Sequence, residues 1–206
     1  MKAKQALRAL CAVTIAAFTS AVLITAPAAQ AQNANPPSGL KWEWMHDVEL
    51  DANPNLFTAS ASDQEQNLLS KIWAKEIKAT GYMKNGSPYA SFAVIGTIEH
   101  QDTKVILTMF NSYNSSCIQP GNGRAMEDIY ATCPLRIIRF SANNQITEQN
   151  LPVNFCMIYG DDQHAPRAKN HAEYAFDERS GTVYLRIIQF GKIVPECNRA
   201  VRIFKI

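Results

Sequence analysis

The sequence predicts an α+β fold: a mainly antiparallel, twisted β-sheet of about seven strands, with one long N-terminal helix packed on it and two disulfides. Three observations carry this reading. Strand-like segments recur from Ser91 to the C-terminus, one amphipathic stretch at helical spacing precedes them, and four cysteines remain once an N-terminal export signal is set aside. With 47% hydrophobic and 18% charged residues, the 206-residue chain falls among globular proteins rather than disordered or fibrous ones.

Lys2, Lys4 and Arg8 form a positive start, Ala9 to Ala26 is uncharged, and Ala29-Gln30-Ala31 places small residues where a signal peptidase cuts. Residues 1–31 are therefore expected to be a cleaved signal peptide, residues 32–39 a flexible linker, and residues 40–206 a single α+β domain. The apolar run is diluted by Thr14, Thr19, Ser20 and Thr25, which argues against a retained membrane anchor, so no transmembrane segment is expected in the mature chain. Removing residues 1–31 leaves 17 basic against 18 acidic residues. That balance gives no global attraction to nucleic acid or to an anionic membrane. A periplasmic or secreted location follows, and with it oxidised cysteines.

Cys117, Cys133, Cys156 and Cys197 allow three connectivities. Cys117 with Cys133 and Cys156 with Cys197 is the expected pairing, because the first pair brackets a turn-rich segment between two predicted strands. A zinc site or a catalytic thiol is the competing reading, and no CxxC occurs to support it.

Leu40, Trp42, Trp44, His46, Val48 and Leu50 alternate with polar residues and Met45, a period of two that predicts a strand with one apolar and one wet face. Packing of that apolar face in the core is the expectation; exposure toward a partner is the alternative. Ser62-Asp63-Gln64-Glu65 matches a capping box, so a helix is expected from Ser62, with Leu68, Leu69, Ile72, Trp73 and Ile77 on one stripe. Lys71, Lys75 and Lys78 take the solvated side, and Gly81 is the natural stop. Ser91 to His100 and Thr103 to Phe110 flank a tight turn and are apolar on both faces, as strands of a covered sheet are. Gly96 inside the first marks a bulge or a close backbone approach. Leu135 to Phe140, Val153 to Tyr159, Thr182 to Phe190 and Ala200 to Ile206 complete the strands, with Asp177 to Gly181 as a turn.

No P-loop, dinucleotide-binding glycine fingerprint, HExxH, GxSxG or EF-hand loop is present, and no cofactor is expected. Two long loops carry the remaining candidates. In Asn111 to Thr132, Gly121-Asn122-Gly123-Arg124 has glycines that permit unusual dihedrals and could push Arg124 outward, with Cys117 and Cys133 clamping the ends. The second loop, Gly160 to Asn170, supplies His164 and Arg167 and leads into His171 and Glu173. Asn122, Arg124, His164 and Arg167 are the expected partner-binding residues. Asp161, Asp162, His164 and His171 have the right chemistry for a divalent metal or an acid/base pair but fit no template, and Arg167 and Lys169 oppose a pure cation site. Arg136, Arg139, Arg186, Arg199 and Arg202 are expected to scatter as rim charges rather than form one anionic-ligand patch.

The function expected from these features is that of a non-enzymatic protein of the inhibitor or immunity type, which binds another exported or envelope protein. A metal-dependent hydrolase using the Asp161 to His171 segment and a carrier of small apolar ligands on the Trp42 and Trp44 face are the alternatives.

Overall fold

In the computed structural model, which describes residues 35–50, 61–112, 115–119, 128–140, 146–158 and 166–204, the chain forms ten strands and two helices among those residues. In order they are β1 (Glu43–Trp44), β2 (His46–Leu50), α1 (Ala61–Ile72), α2 (Ala74–Thr80), β3 (Ser91–His100), β4 (Thr103–Ser112), β5 (Tyr130–Phe140), β6 (Ile146–Ile158), β7 (His171–Asp177), β8 (Thr182–Gln189), β9 (Lys192–Ile193) and β10 (Arg199–Arg202). The strands make two antiparallel five-stranded sheets rather than the single sheet expected. One runs β2-β3-β4-β5-β6; the other runs β1-β7-β8-β10, with β9 paired to β8.

The two sheets arise from the distribution of apolar residues. β3 and β4 are apolar on both sides, so their sheet has to be covered twice. Val94, Ile98, Val105, Leu107 and Met109 point inward, and against them pack Ala172, Tyr174, Val183, Leu185, Ile187 and Val201 of the second sheet. Ala93, Ile95, Ile106, Phe110 and Ile138 point the other way and meet Leu69 and Trp73 of the helical layer. The order of layers is helices, first sheet, second sheet.

The expected long helix is two short ones, broken at Trp73, whose φ of −98° and ψ of 12° leave the helical range. The cause is visible in the hydrogen bonding. The Ile72 carbonyl accepts from Arg136 Nη1 at 2.8 Å, and a side chain inserted into the ladder is a standard source of a kink. Arg136 also pairs with Glu76 and lies over the Trp73 ring, 3.8 Å from its centroid, while Trp73 Nε1–H donates to Thr108 Oγ1 at 3.2 Å. α1 begins at Ala61, so Ser62 sits inside the first turn and is not the N-cap. Gly81 ends α2 with a φ of 79°, as expected.

The segment expected as one strand over Leu40 to Leu50 changes sheets at Met45. β1 pairs with β7 in the second sheet and β2 with β3 in the first. Met45, on the side expected to be wet, is buried between the sheets, whereas Trp44 is 53% exposed. The tryptophans expected in the core therefore lie on the outer face of the second sheet. His171 and Glu173, read as the continuation of the Gly160 to Asn170 loop, lie in β7.

Both expected disulfides form: Cys117–Cys133 and Cys156–Cys197, with sequence separations of 16 and 41. On the chain-entropy argument they contribute about 3 and about 4 kcal/mol respectively. They are compatible with an oxidising environment. Among the described residues no helix is long and apolar enough to cross a membrane. Residues 1–34, including the expected signal peptide and the first three residues of the linker, lie outside the described residues.

Gly96 is a close-approach glycine. A Cβ there would meet the Tyr174 ring at 2.8 Å, and the ring is held in place because its hydroxyl reaches Glu43 Oε2 at 2.9 Å and the Thr97 carbonyl at 2.8 Å. Gly96→Ala is expected to destabilise the fold by about 1 to 3 kcal/mol through overpacking between the sheets, read from denaturant unfolding. An unchanged midpoint would mean that the ring moves away at no cost.

Candidate functional site

The helices cover the first sheet, and among the described residues no such layer covers the outer face of the second. Across it, antiparallel register places Trp44 of β1 opposite Glu173 of β7, and Glu173 opposite Arg186 of β8. Glu173 is buried, and a buried carboxylate requires compensation. It has it on both oxygens: Oε1 lies 3.0 Å from His171 Nε2, and Oε2 accepts from Arg186 Nε at 2.6 Å. His171 Nδ1 lies 2.8 Å from the Arg167 carbonyl. Both ring nitrogens thus face oxygens.

Each of these two groups is capped by a tryptophan from the N-terminal segment. The Arg186 guanidinium lies over the Trp42 ring, 3.7 Å from its centroid, and Trp44 stacks on His171 with centroids 4.2 Å apart. Cation–π attraction and stacking add to the ion pairs and fix the positions of all five side chains. The platform is rigid, and neither His171 nitrogen is open to act as a base without losing a bond.

A pocket lies at each end. One of about 140 Å³ is bordered by Trp44, His46, Asp47, Arg167, Asn170 and His171, with Arg167 Nη2 bonded to Asp47 Oδ2. The other, about 200 Å³, is bordered by Trp42, Tyr184, Arg186, Ile193 and Arg199, with Asn35 and Pro36 at its edge. Phe190, 53% exposed, has its amide bonded to Asn170 Oδ1 at 2.8 Å, which ties the β8–β9 turn to the first pocket.

Of the residues expected to bind a partner, Arg167 borders this platform. Asn122 and Arg124, like His164, Asp161 and Asp162, lie outside the described residues. Among the described residues no three His, Cys, Asp or Glu side chains gather for a metal. His171 belongs to the platform through Glu173. The strand arginines do not stand as scattered rim charges: Arg136 binds the helical layer and Arg139 donates to the Ile203 carbonyl, whereas Arg186 and Arg199 border one pocket, Arg199 also donating to the carbonyls of Glu196 and Asn198.

Glu173 and Arg186 were not paired by sequence reasoning, although a signal existed. The turn Asp177 to Gly181 is legible, and counting back from the Asp177–Thr182 pair brings Glu173 opposite Arg186.

Comparison with known proteins found no matching family model, no matching curated protein and no matching solved structure.

Burial, with Glu43 nearby as acceptor, pushes the Tyr174 hydroxyl up to about 12, and burial with the Glu196 carboxylate beside it does the same for Tyr130. Both are neutral below about pH 10 in the folded and the unfolded chain, so their contribution to stability is complete there. Above pH 10 the unfolded chain ionises first, and that contribution is lost as pH rises to about 12. Denaturant midpoints measured across this window are expected to fall, and to fall less in Tyr174→Phe. Glu173→Gln is expected to cost about 3 kcal/mol, since it leaves Arg186 without its carboxylate, and unfolding followed by Trp fluorescence checks it.

Proposed function

We propose that this protein is an exported, non-enzymatic binding protein of the inhibitor or immunity type, and that its partner, another exported or envelope protein, docks on the outer face of the second sheet. The observation that carries the reading is the exposure of large apolar side chains there: Trp44 at 53%, Phe190 at 53% and Ile193 at 47%. Exposed apolar groups rimmed by polar ones mark interaction surfaces, and Trp and Arg are the side chains most enriched at binding hot spots. The platform beneath them is fixed before a partner arrives, which lowers the entropy lost on association. Arg167 stands at the rim beside Asp47, and the disulfide at Cys117 and Cys133 anchors the segment that carries Asn122 and Arg124.

The occupied bonds of His171 weigh against a hydrolytic role for that residue. The tryptophans stack on Arg186 and His171, an arrangement better suited to a contact surface than to an apolar cavity.

The test is affinity capture from native envelope and secreted fractions with the oxidised chain as bait, beside Trp44→Ala and Arg124→Ala. A stoichiometric protein partner retained by the parent chain and lost with Trp44→Ala supports the reading. Absence of any partner, or retention by both variants, overturns it.

A further inference from the structure

The geometry points to a carboxylate-binding site in the pocket formed by Trp42, Tyr184, Arg186, Ile193 and Arg199. Arg186 gives its Nε–H to Glu173, and among the described residues its two terminal nitrogens have no hydrogen-bond partner. A guanidinium held at Nε and stacked on an indole is fixed in direction, and the open end of its fork matches the two oxygens of a carboxylate. Tyr184, whose hydroxyl is likewise without a partner among the described residues, borders the same space.

Charge and shape narrow the ligand class. Two guanidinium groups border the pocket and no acidic side chain does; Arg199 gives its Nη1 to the carbonyls of Glu196 and Asn198, which leaves the Arg186 fork, paired at Nε with Glu173, as the anchor. One partly neutralised fork with two open donors suits the two oxygens of a carboxylate better than a phosphate dianion. The walls supplied by Trp42 and Ile193 suit an apolar body behind the carboxylate, and about 200 Å³ holds a small acid or one side chain. The carboxylate can belong to a free organic acid or to the end of a peptide chain. The site stands whether or not the protein partner proposed above exists, because its ligand chemistry requires only the pocket.

Titration of the oxidised full chain, followed by Trp fluorescence and calorimetry, tests it with two acids and their matched amides. Phenylacetate against phenylacetamide represents a free acid, and N-acetyl-glycyl-phenylalanine against its C-terminal amide represents a chain end. Each acid that binds is expected to bind at least about tenfold more tightly than its amide, the difference a charge-assisted bond makes. Binding of both acids assigns the site to carboxylates in general, and binding of the peptide acid alone assigns it to chain ends. Ile193→Trp, which fills the pocket from its exposed edge and leaves the Glu173–Arg186 pair intact, is expected to weaken the acids about tenfold or more. Arg186→Met should abolish acid binding, but it also strips Glu173 of its partner, so the Ile193 variant carries the test independently of folding. Equal affinity for acid and amide, no saturable binding of either acid, competition by inorganic phosphate at equal affinity, or unchanged binding by Ile193→Trp would each overturn the proposal.

Discussion

A sheet that is apolar on both faces has to be covered twice, and the rest of this architecture follows from that constraint. β3 and β4 offer Val94, Leu107 and Met109 on one side and Ile95, Ile106 and Phe110 on the other. One side takes a second sheet, the other takes α1 and α2. No helical layer remains for the outer face of the second sheet among the described residues, and aromatic and cationic side chains collect there. The exposed surface of this protein is thus a consequence of how its core is filled.

Glu173 organises that surface. A buried carboxylate without partners would be expensive, and the chain meets the cost with two groups whose own exposure is limited by tryptophans. The five side chains depend on one another: moving Trp42 uncovers Arg186, and moving Arg186 leaves half of Glu173 unpaired. Such mutual dependence gives a surface of fixed shape on a strand pair that would otherwise have many side-chain arrangements.

Much of this was legible in the sequence, and the misreadings have physical causes. Ser91 to His100 was readable because a doubly apolar run between turns has few other solutions, and the disulfide partners because strand-flanking cysteines bracket a turn-rich segment. The Trp42 and Trp44 face was misplaced because a period of two says that one face is apolar without saying which layer it meets. The local mark of the crossing from one sheet to the other is Met45, an apolar residue on the polar side of that period. β7 was missed because His171 and Glu173 read as loop chemistry, while the alternation of Ala172, Tyr174 and Phe176 beside them carried the strand signal. The break at Trp73 depends on Arg136, which lies 64 residues away from Ile72 in sequence, so no helical window could contain it.

The crossing at Met45 also sets how long the aromatic caps stay in place. β1 is joined to β7 through two paired residues, with one further bond from the Met45 amide to the Ala172 carbonyl, whereas β3 and β4 share ten pairs. Free energies of local opening follow the number of bonds and the buried surface that must be released. The caps are therefore held less by strand pairing than by their own contacts: Trp42 on Arg186, Trp44 on His171, Glu43 on the Tyr174 hydroxyl and Met45 in the core. Amide hydrogen exchange at Glu43 and Trp44 would report how firmly those contacts hold the segment.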